Sequence, residues 1–209
     1  IDQVLEMHQV EAGHAALETK PVSIITIVSH VVGSFQGLAD HRNISLVFKP
    51  IKDRYLYPVD VDKLEKILFN LLSNAFKFTD DGGLIQIHVR MRETSDKTWY
   101  VIRVSDTARG IPADDLEKIF ERFYKDGKNR GSGIGLSLAK SLVDLMEGQI
   151  QVSSTLGEGT TFTIRLPFTR LSEPAEVTIE NTSTRPLPVA YQVYLSEQRQ
   201  ENTAAELDK

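Results

Sequence analysis

The sequence predicts a two-layer α/β sandwich, with helices on one face of a mixed, mostly antiparallel sheet. Three observations carry that prediction. Short runs alternate apolar and polar residues, the mark of strands with one buried face. Longer runs repeat their apolar residues at helical spacing. The two kinds interleave along the chain, which favours layered packing over a bundle or an all-β sandwich. With 209 residues and 41% hydrophobic content, the chain can bury one good core.

Residues 1–12 read as a short helix with Ile1, Val4, Leu5 and His8 on one face and Gly13 placed to stop it. Pro21 and the cap residue Ser23 open a longer helix whose stripe runs Ile24, Ile27, Val28, Val31, Phe35 and Leu38, with Asn43 near its end. Ile44, Leu46 and Phe48 alternate as a strand closed by Pro50. A helix starting near Asp60 carries Leu64, Ile67, Leu68, Leu71, Leu72 and Ala75 on one stripe, and Asp80-Asp-Gly-Gly83 turns the chain. Ile85, Ile87, Val89 and Met91 pair as an antiparallel hairpin with Tyr100, Ile102 and Val104. A helix is expected from about Ala113, presenting Leu116, Ile119, Phe120 and Phe123, followed by a polar, glycine-rich segment. The helix from Ile134 ends at Gly148, and a last hairpin sets Ile150 and Val152 against Phe162, Ile164 and Leu166.

Gross properties exclude several functions. A net charge of −5 argues against a general nucleic-acid binder, and the absence of cysteine removes disulfide frameworks and thiolate metal sites. Apolar runs stop short of a membrane span, and the N-terminus lacks a signal-peptide layout. The segment reads as soluble and cytoplasmic, without repeats or low-complexity tracts.

Asn70, Asn74 and Lys77 fall at spacings of four and three, so they share one strip of the helix, about 120° round from the centre of its apolar stripe. Asparagine competes for the backbone and is a poor helix former, so two of them mid-helix need a reason. Two amide oxygens and an ammonium suit magnesium and the phosphates it carries; a solvated helix face is the bland alternative. Asp106 is in phase with Tyr100, Ile102 and Val104, so its carboxylate enters the space between the layers and needs a partner. An exocyclic amine such as adenine's would serve; a turn or helix-capping aspartate is the alternative. Gly131-Ser-Gly-Ile-Gly135 opens a helix, where backbone N–H groups and the helix field favour an anion. It follows a polar segment instead of a strand and contains no Gly-Lys-Ser/Thr, so neither the dinucleotide fingerprint nor the P-loop fits. Gly157-Glu-Gly159 reads as a hairpin turn with a glycine bulge.

The order Asn70-x-x-x-Asn74-Ala-x-Lys-Phe-Thr79, Asp106-x-x-x-Gly110-Ile, Ile119-Phe-Glu-Arg-Phe123, Gly131-x-Gly-x-Gly-Leu136 and Gly157-x-Gly-Thr-x-Phe162 resembles the catalytic ATP-binding domain of bacterial sensor histidine kinases. Hsp90, DNA gyrase B and MutL share the asparagine, aspartate and glycine boxes; the Phe120/Phe123 box, short lid and Leu136 favour the kinase branch. The resemblance implies a Bergerat-type sandwich over residues 20–168, preceded by the tail of a dimerisation helix and connector (1–19) and followed by a linker or tail (169–209). It implies ATP and Mg²⁺ as cofactors, with Asn74 on the metal, Asn70 near the terminal phosphate and Lys77 on a phosphate. Asp106 would read the adenine amine, with Phe78, Gly110 and Ile111 lining the base pocket. Tyr124 and Lys125 would lie beside the nucleotide, Gly131, Gly133, Gly135 and Leu136 would form the lid, and Thr160 or Thr161 would join the adenine network through water. The implied partners are phosphoacceptor helices of the same kinase, a response regulator or receiver domain, and a second copy in a homodimer. The resemblance also places the segment as the cytoplasmic portion of a membrane-anchored sensor.

Two positions depart from that pattern. Ala108 stands where the family's adenine box has its first glycine, which keeps a degenerate interaction module as the rival reading; a wider-family ATPase switch is a second alternative, which the phenylalanine box disfavours. No histidine followed by Glu or Asp supplies a phosphoacceptor: His8 precedes Gln and His14 precedes Ala. His30, His41 and His88 have no metal-ligand spacing and read as ordinary residues. Beyond Phe168 a polar tract leads to Pro186-Leu-Pro188 and one short strand, Val189–Tyr194.

Overall fold

The computed structural model describes residues 2–52, 55–95, 97–124, 133–169 and 171. The proline-flanked strand expected at 189–194 lies outside them. Helix α1 spans Asp2–Glu11, and strand β1 (Lys20–Val22) leads into α2 (Ile24–Ser34) and α3 (Gln36–His41). Strands β2 (Ser45–Lys49) and β3 (Tyr57–Val59) precede the long α4 (Val61–Phe78). Then come β4 (Leu84–Glu93), β5 (Thr98–Asp106), α5 (Gly135–Leu145), β6 (Gln149–Thr155) and β7 (Gly159–Phe168).

Five strands form one sheet in the order β2-β4-β5-β7-β6, with β2 parallel to β4 and every other pair antiparallel. The predicted hairpins pair as expected: Ile87 sits opposite Val104, and Val152 opposite Phe162. Ile85, Ile87, Val89, Tyr100, Ile102, Val104, Ile164 and Leu166 are all buried against the helices, as is the whole α4 stripe from Leu64 to Ala75. That single apolar face drives the sandwich together. At the start of α4, Asp60 caps the helix through a hydrogen bond from the Lys63 N–H (3.1 Å), and Lys63 Nζ lies 2.7 Å from its other oxygen. Burial pushes this carboxyl up, yet Lys63 and the N–H groups of Glu18 and Lys63 together hold it below the usual value. No helix among the described residues is long and apolar enough to cross a membrane.

Four sequence expectations change. The helix expected from Ala113 is instead two 3₁₀ turns, Ala113–Asp115 and Lys118–Phe120. Glu121 is already extended, and the Phe123 N–H donates to the Gly133 carbonyl at 2.9 Å, so a pairing with the lid replaces a further helical turn. Phe123 takes a left-handed φ of 61° and is exposed, not core-facing. The helix from Ser23 breaks at Phe35, whose buried ring packs 5.0 Å from Phe69 and 5.1 Å from Phe76. In α1 the packed residues are Met7 and Val10, while Leu5 and His8 are exposed. The small β1–β3 sheet was not read from the sequence at all, because three residues show no period.

Candidate functional site

Helix α4 delivers its polar strip to the end of the sandwich where α5 begins. Asn70 and Asn74 each donate Nδ2 to a carbonyl one turn back, Lys66 and Asn70 respectively, both at 2.9 Å. Each amide is thereby satisfied by its own helix, and the Oδ1 atoms accept no hydrogen bond from the described residues. This resolves the helix-propensity conflict: the asparagines bond back along the helix and leave their amide oxygens uncommitted among the described residues. Asn70 is almost fully buried, Asn74 half-buried.

Gly135, the first residue of α5, lies directly against Asn70: a Cβ there would stand 2.8 Å from Asn70 Oδ1. A side chain at 135 would therefore displace either the Asn70 amide or the start of α5. The N-cap Ile134 makes no side-chain capping bond, and the partial positive charge of the α5 N-terminus lies beside the asparagine strip. Gly133 takes φ +69° and its missing Cβ would meet the Phe123 backbone at 2.8 Å. Leu136 and Tyr124 are half-buried and pack on the core. Lys125 and Gly131 lie outside the described residues.

The second half of the site is built at the ends of β5, β6 and β7. Asp106 points to the helix side, where Oδ1 accepts the N–H groups of Ala108 (3.0 Å) and Thr160 (3.1 Å). Both bonds fall on Oδ1, so among the described residues Oδ2 is left for another donor. Burial raises the carboxyl above its usual value, and the two N–H donors only partly offset that. Asp106 is thus both the turn aspartate of the bland reading and an aspartate with an unfilled acceptor.

Ser154, which the sequence reading missed, holds the loop in place. Its hydroxyl donates to the Gly159 carbonyl at 2.7 Å and accepts the Ile111 N–H at 2.8 Å. With that one proton committed, the Thr160 hydroxyl, 3.0 Å away, donates to Ser154 Oγ. Its phase with Ile150 and Val152 was the available signal. Strand parity also separates the two threonines: Thr160 is buried beside Asp106, while Thr161 donates to Ser105 on the opposite sheet face, away from the network. Gly110 has φ +75°, and a Cβ there would strike the Thr155 carbonyl. Ala108 is not among the left-handed residues, so its methyl costs no backbone strain.

Phe78 joins the two halves. Lys77 Nζ stands 4.9 Å from its ring centroid and the Arg109 guanidinium 5.5 Å, one cation from α4 and one from the loop after β5. The structure therefore brings Asn70, Asn74, Lys77, Phe78 and Gly135 together on one side, and Asp106, Gly110, Ile111 and Thr160 on the other. His8, His14 and His41 are exposed, and His30 pairs with the buried Glu65 at 3.2 Å. Among the described residues no three acidic or imidazole groups converge on a metal position. An amide oxygen from Asn74, completed by water and phosphate, fits magnesium, which commonly keeps few protein ligands.

Residues 59–170 match the family of histidine kinase-, DNA gyrase B-, and HSP90-like ATPases. Over 183 residues the chain is 37% identical to the circadian input-output histidine kinase CikA of Synechococcus elongatus, covering 84% of this chain and 24% of that protein. It is 35% identical over 173 residues to the sensor histidine kinase TmoS of Ectopseudomonas mendocina, covering 80% of this chain and 17% of that one. The chain spans a quarter or less of the length of these curated relatives. The structure of full-length ShkA in complex with AMPPNP superposes with a TM-score of 0.71 at 26% identity, over 83% of this chain and 36% of that one. With its fold, its two polar clusters and this match in agreement, the chain belongs to the histidine kinase-, DNA gyrase B- and HSP90-like ATPase family.

Proposed function

We propose that this chain is the catalytic ATP-binding module of a sensor histidine kinase, positioning Mg-ATP for transfer of its terminal phosphoryl group to a histidine on a dimerisation helix outside residues 1–209. The observation that carries the proposal is a pair of uncommitted acceptor sets on the two elements whose cations, Lys77 and Arg109, meet over Phe78. Among the described residues, Asp106 Oδ2 has no donor on one side, and the Oδ1 atoms of Asn70 and Asn74 have none on the other. Adenine's exocyclic amine answers the first, and magnesium answers the second.

In this reading Asn74 ligates the metal, Asn70 lies near the terminal phosphate, Lys77 neutralises phosphate charge, and the uncapped start of α5 faces the phosphates. Phe78, Gly110, Ile111 and Thr160 shape the base side; Tyr124, Lys125, Gly131, Gly133 and Leu136 belong to the lid. Thr161 faces the other side of the sheet, so the adenine role passes to Thr160 and its neighbour Ser154. The protein's contribution is orientation and charge neutralisation for an in-line transfer. Its partners would be the phosphoacceptor hairpin, a response regulator or receiver domain, and a second kinase copy, on the cytoplasmic side of a sensor. The absence of a left-handed φ at Ala108 supports a nucleotide-competent loop over the degenerate reading.

The test is phosphotransfer. Incubated alone with labelled ATP, the chain should bind nucleotide without labelling itself, since His8 and His14 lie outside any acceptor helix motif. Adding a dimerisation hairpin from the same kinase in trans should label the hairpin, and Asn70→Ala or Lys77→Ala should reduce that labelling. Acid-labile phosphate on His8 or His14 would contradict the assignment, as would an unlabelled hairpin beside a chain that binds Mg-ATP.

A further inference from the structure

The helices cover one face of the five-stranded sheet; the other face has a charge pattern that the nucleotide site does not use. Strand register brings Lys49, His88 and Arg103 into one row across β2, β4 and β5. The next row holds Arg90 and Arg165 on either side of Val101, and the row beyond it places Arg92 opposite Trp99. The only carboxylates in these strands, Glu93 and Asp106, are in phase with the helix-side residues. Lys49, Arg90, Arg92 and Arg103 are exposed, and Arg165 donates to Gln151 at 2.8 Å. Among the described residues no carboxylate comes within ion-pair distance of any of these five cations, and the enclosed His88 Nε2 has no hydrogen-bond partner. A chain with net charge −5 thus gathers like charges on one sheet face and leaves them unpaired. Such a face carries a positive potential that attracts an anionic partner.

We propose that this face is a docking surface for the chain's own acidic C-terminal segment, residues 172–209. That segment has seven carboxylates against three basic residues, so it carries most of the chain's net negative charge. It follows directly from β7, one of the strands that builds the face, and leaves at the end of the sheet where Arg92 and Trp99 stand. Five strands at about 4.8 Å spacing span about 19 Å, a distance that about six extended residues cover. The thirty-eight residues beyond Leu171 therefore reach every row. Covalent attachment keeps the local concentration of carboxylates high without requiring a tight contact. Apolar Val101 and Trp99 between the cations match Val189-Ala-Tyr-Gln-Val-Tyr194 within the segment.

The test uses the full chain, whose lack of cysteine allows specific labelling. Spin labels at Thr163→Cys on the outer face and Thr182→Cys in the segment report their separation by pulsed electron resonance. A short-distance population is expected at low salt, lost at high salt and lost in the R90E/R103E variant. Combining that variant with E173K/E176K/E180K should restore it, which a variant that merely unfolds could not do. A distribution indifferent to salt and to both charge reversals overturns the proposal. So does a broad distribution in a chain that binds phosphatidylserine vesicles or an added acidic protein through Arg90 and Arg103, because the occupant would then be external.

Discussion

The two halves of the candidate site are built on opposite plans. On the side proposed to hold the base the protein bonds chiefly to itself. Asp106 Oδ1 takes two backbone N–H groups, Ser154 links Ile111 to Gly159, and Thr160 donates to Ser154. On the side proposed for the phosphates, among the described residues the asparagine amides bond only back along α4, and α5 starts without a side-chain cap. In the proposed reading, the base side is therefore set before a ligand arrives, whereas the phosphate side would be finished by the ligand's own charge. Preorganised donors and acceptors favour specificity for the base, and an open polar strip suits a hydrated metal and a phosphate chain whose position changes during transfer.

If the base side is a preset frame, changes there should damage fold and binding together. Gly110→Ala is expected to act most strongly: a left-handed backbone costs a non-glycine residue about 1–2 kcal/mol, and the added methyl also strikes the Thr155 carbonyl. Thermal unfolding should move to lower temperature, with a parallel loss of nucleotide affinity. An unchanged melting temperature would show that the frame tolerates distortion.

Asp106→Asn should instead separate the two properties. Losing a charge-assisted hydrogen bond to the adenine amine costs about 1.5–3 kcal/mol, roughly ten- to a hundred-fold in affinity. Stability follows the other sign. Burial raises the folded-state value of this carboxyl, so its favourable contribution is present below the unfolded value of 3.8 and is lost as pH rises through the folded value. At neutral pH the ionised group works against folding, and denaturant titration should find the Asn variant no less stable than the parent. A variant that binds as well as the parent would remove Asp106 from base recognition.

Ala108→Gly sharpens the comparison with the smallest effect. Because the position needs no left-handed backbone, glycine gains nothing in the fold and loosens the unfolded chain, for a cost of about 0.4–1 kcal/mol. Denaturation midpoints measure it. A rise in stability, or a large gain in nucleotide affinity, would mean that the methyl does strain the loop.

Most of the frame was legible in the sequence because a sheet and helices with one buried face leave a period behind. The α4 stripe, the β4–β5 hairpin and the β6–β7 hairpin all follow from phase alone. Where burial is brief or shared, phase fails: β1 and β3 are three residues each, and the apolar spacing through Phe123 imitates a helix that a tertiary pairing with Gly133 replaces. For the candidate site, residue type and spacing singled out Asn70, Asn74 and Asp106, the residues on which the proposed function rests. Ser154 and Arg109 stayed hidden, because a serine in a strand and an arginine in a loop acquire a role only when register and loop path bring them to a partner. The two threonines show the same point, since one step of parity decides that Thr160, not Thr161, meets Asp106.

The central claim is that the α4 strip holds a magnesium ion opposite a preset base frame. Calorimetric titration of the full chain with ATP, with and without magnesium, tests it most directly when the parent is set beside Asn74→Ala. The account predicts that the parent binds Mg-ATP and that Asn74→Ala loses far more affinity with magnesium present than without it, since only the metal-bound state uses the amide oxygen. Equal losses under both conditions, or a parent chain that binds no adenine nucleotide, would contradict it.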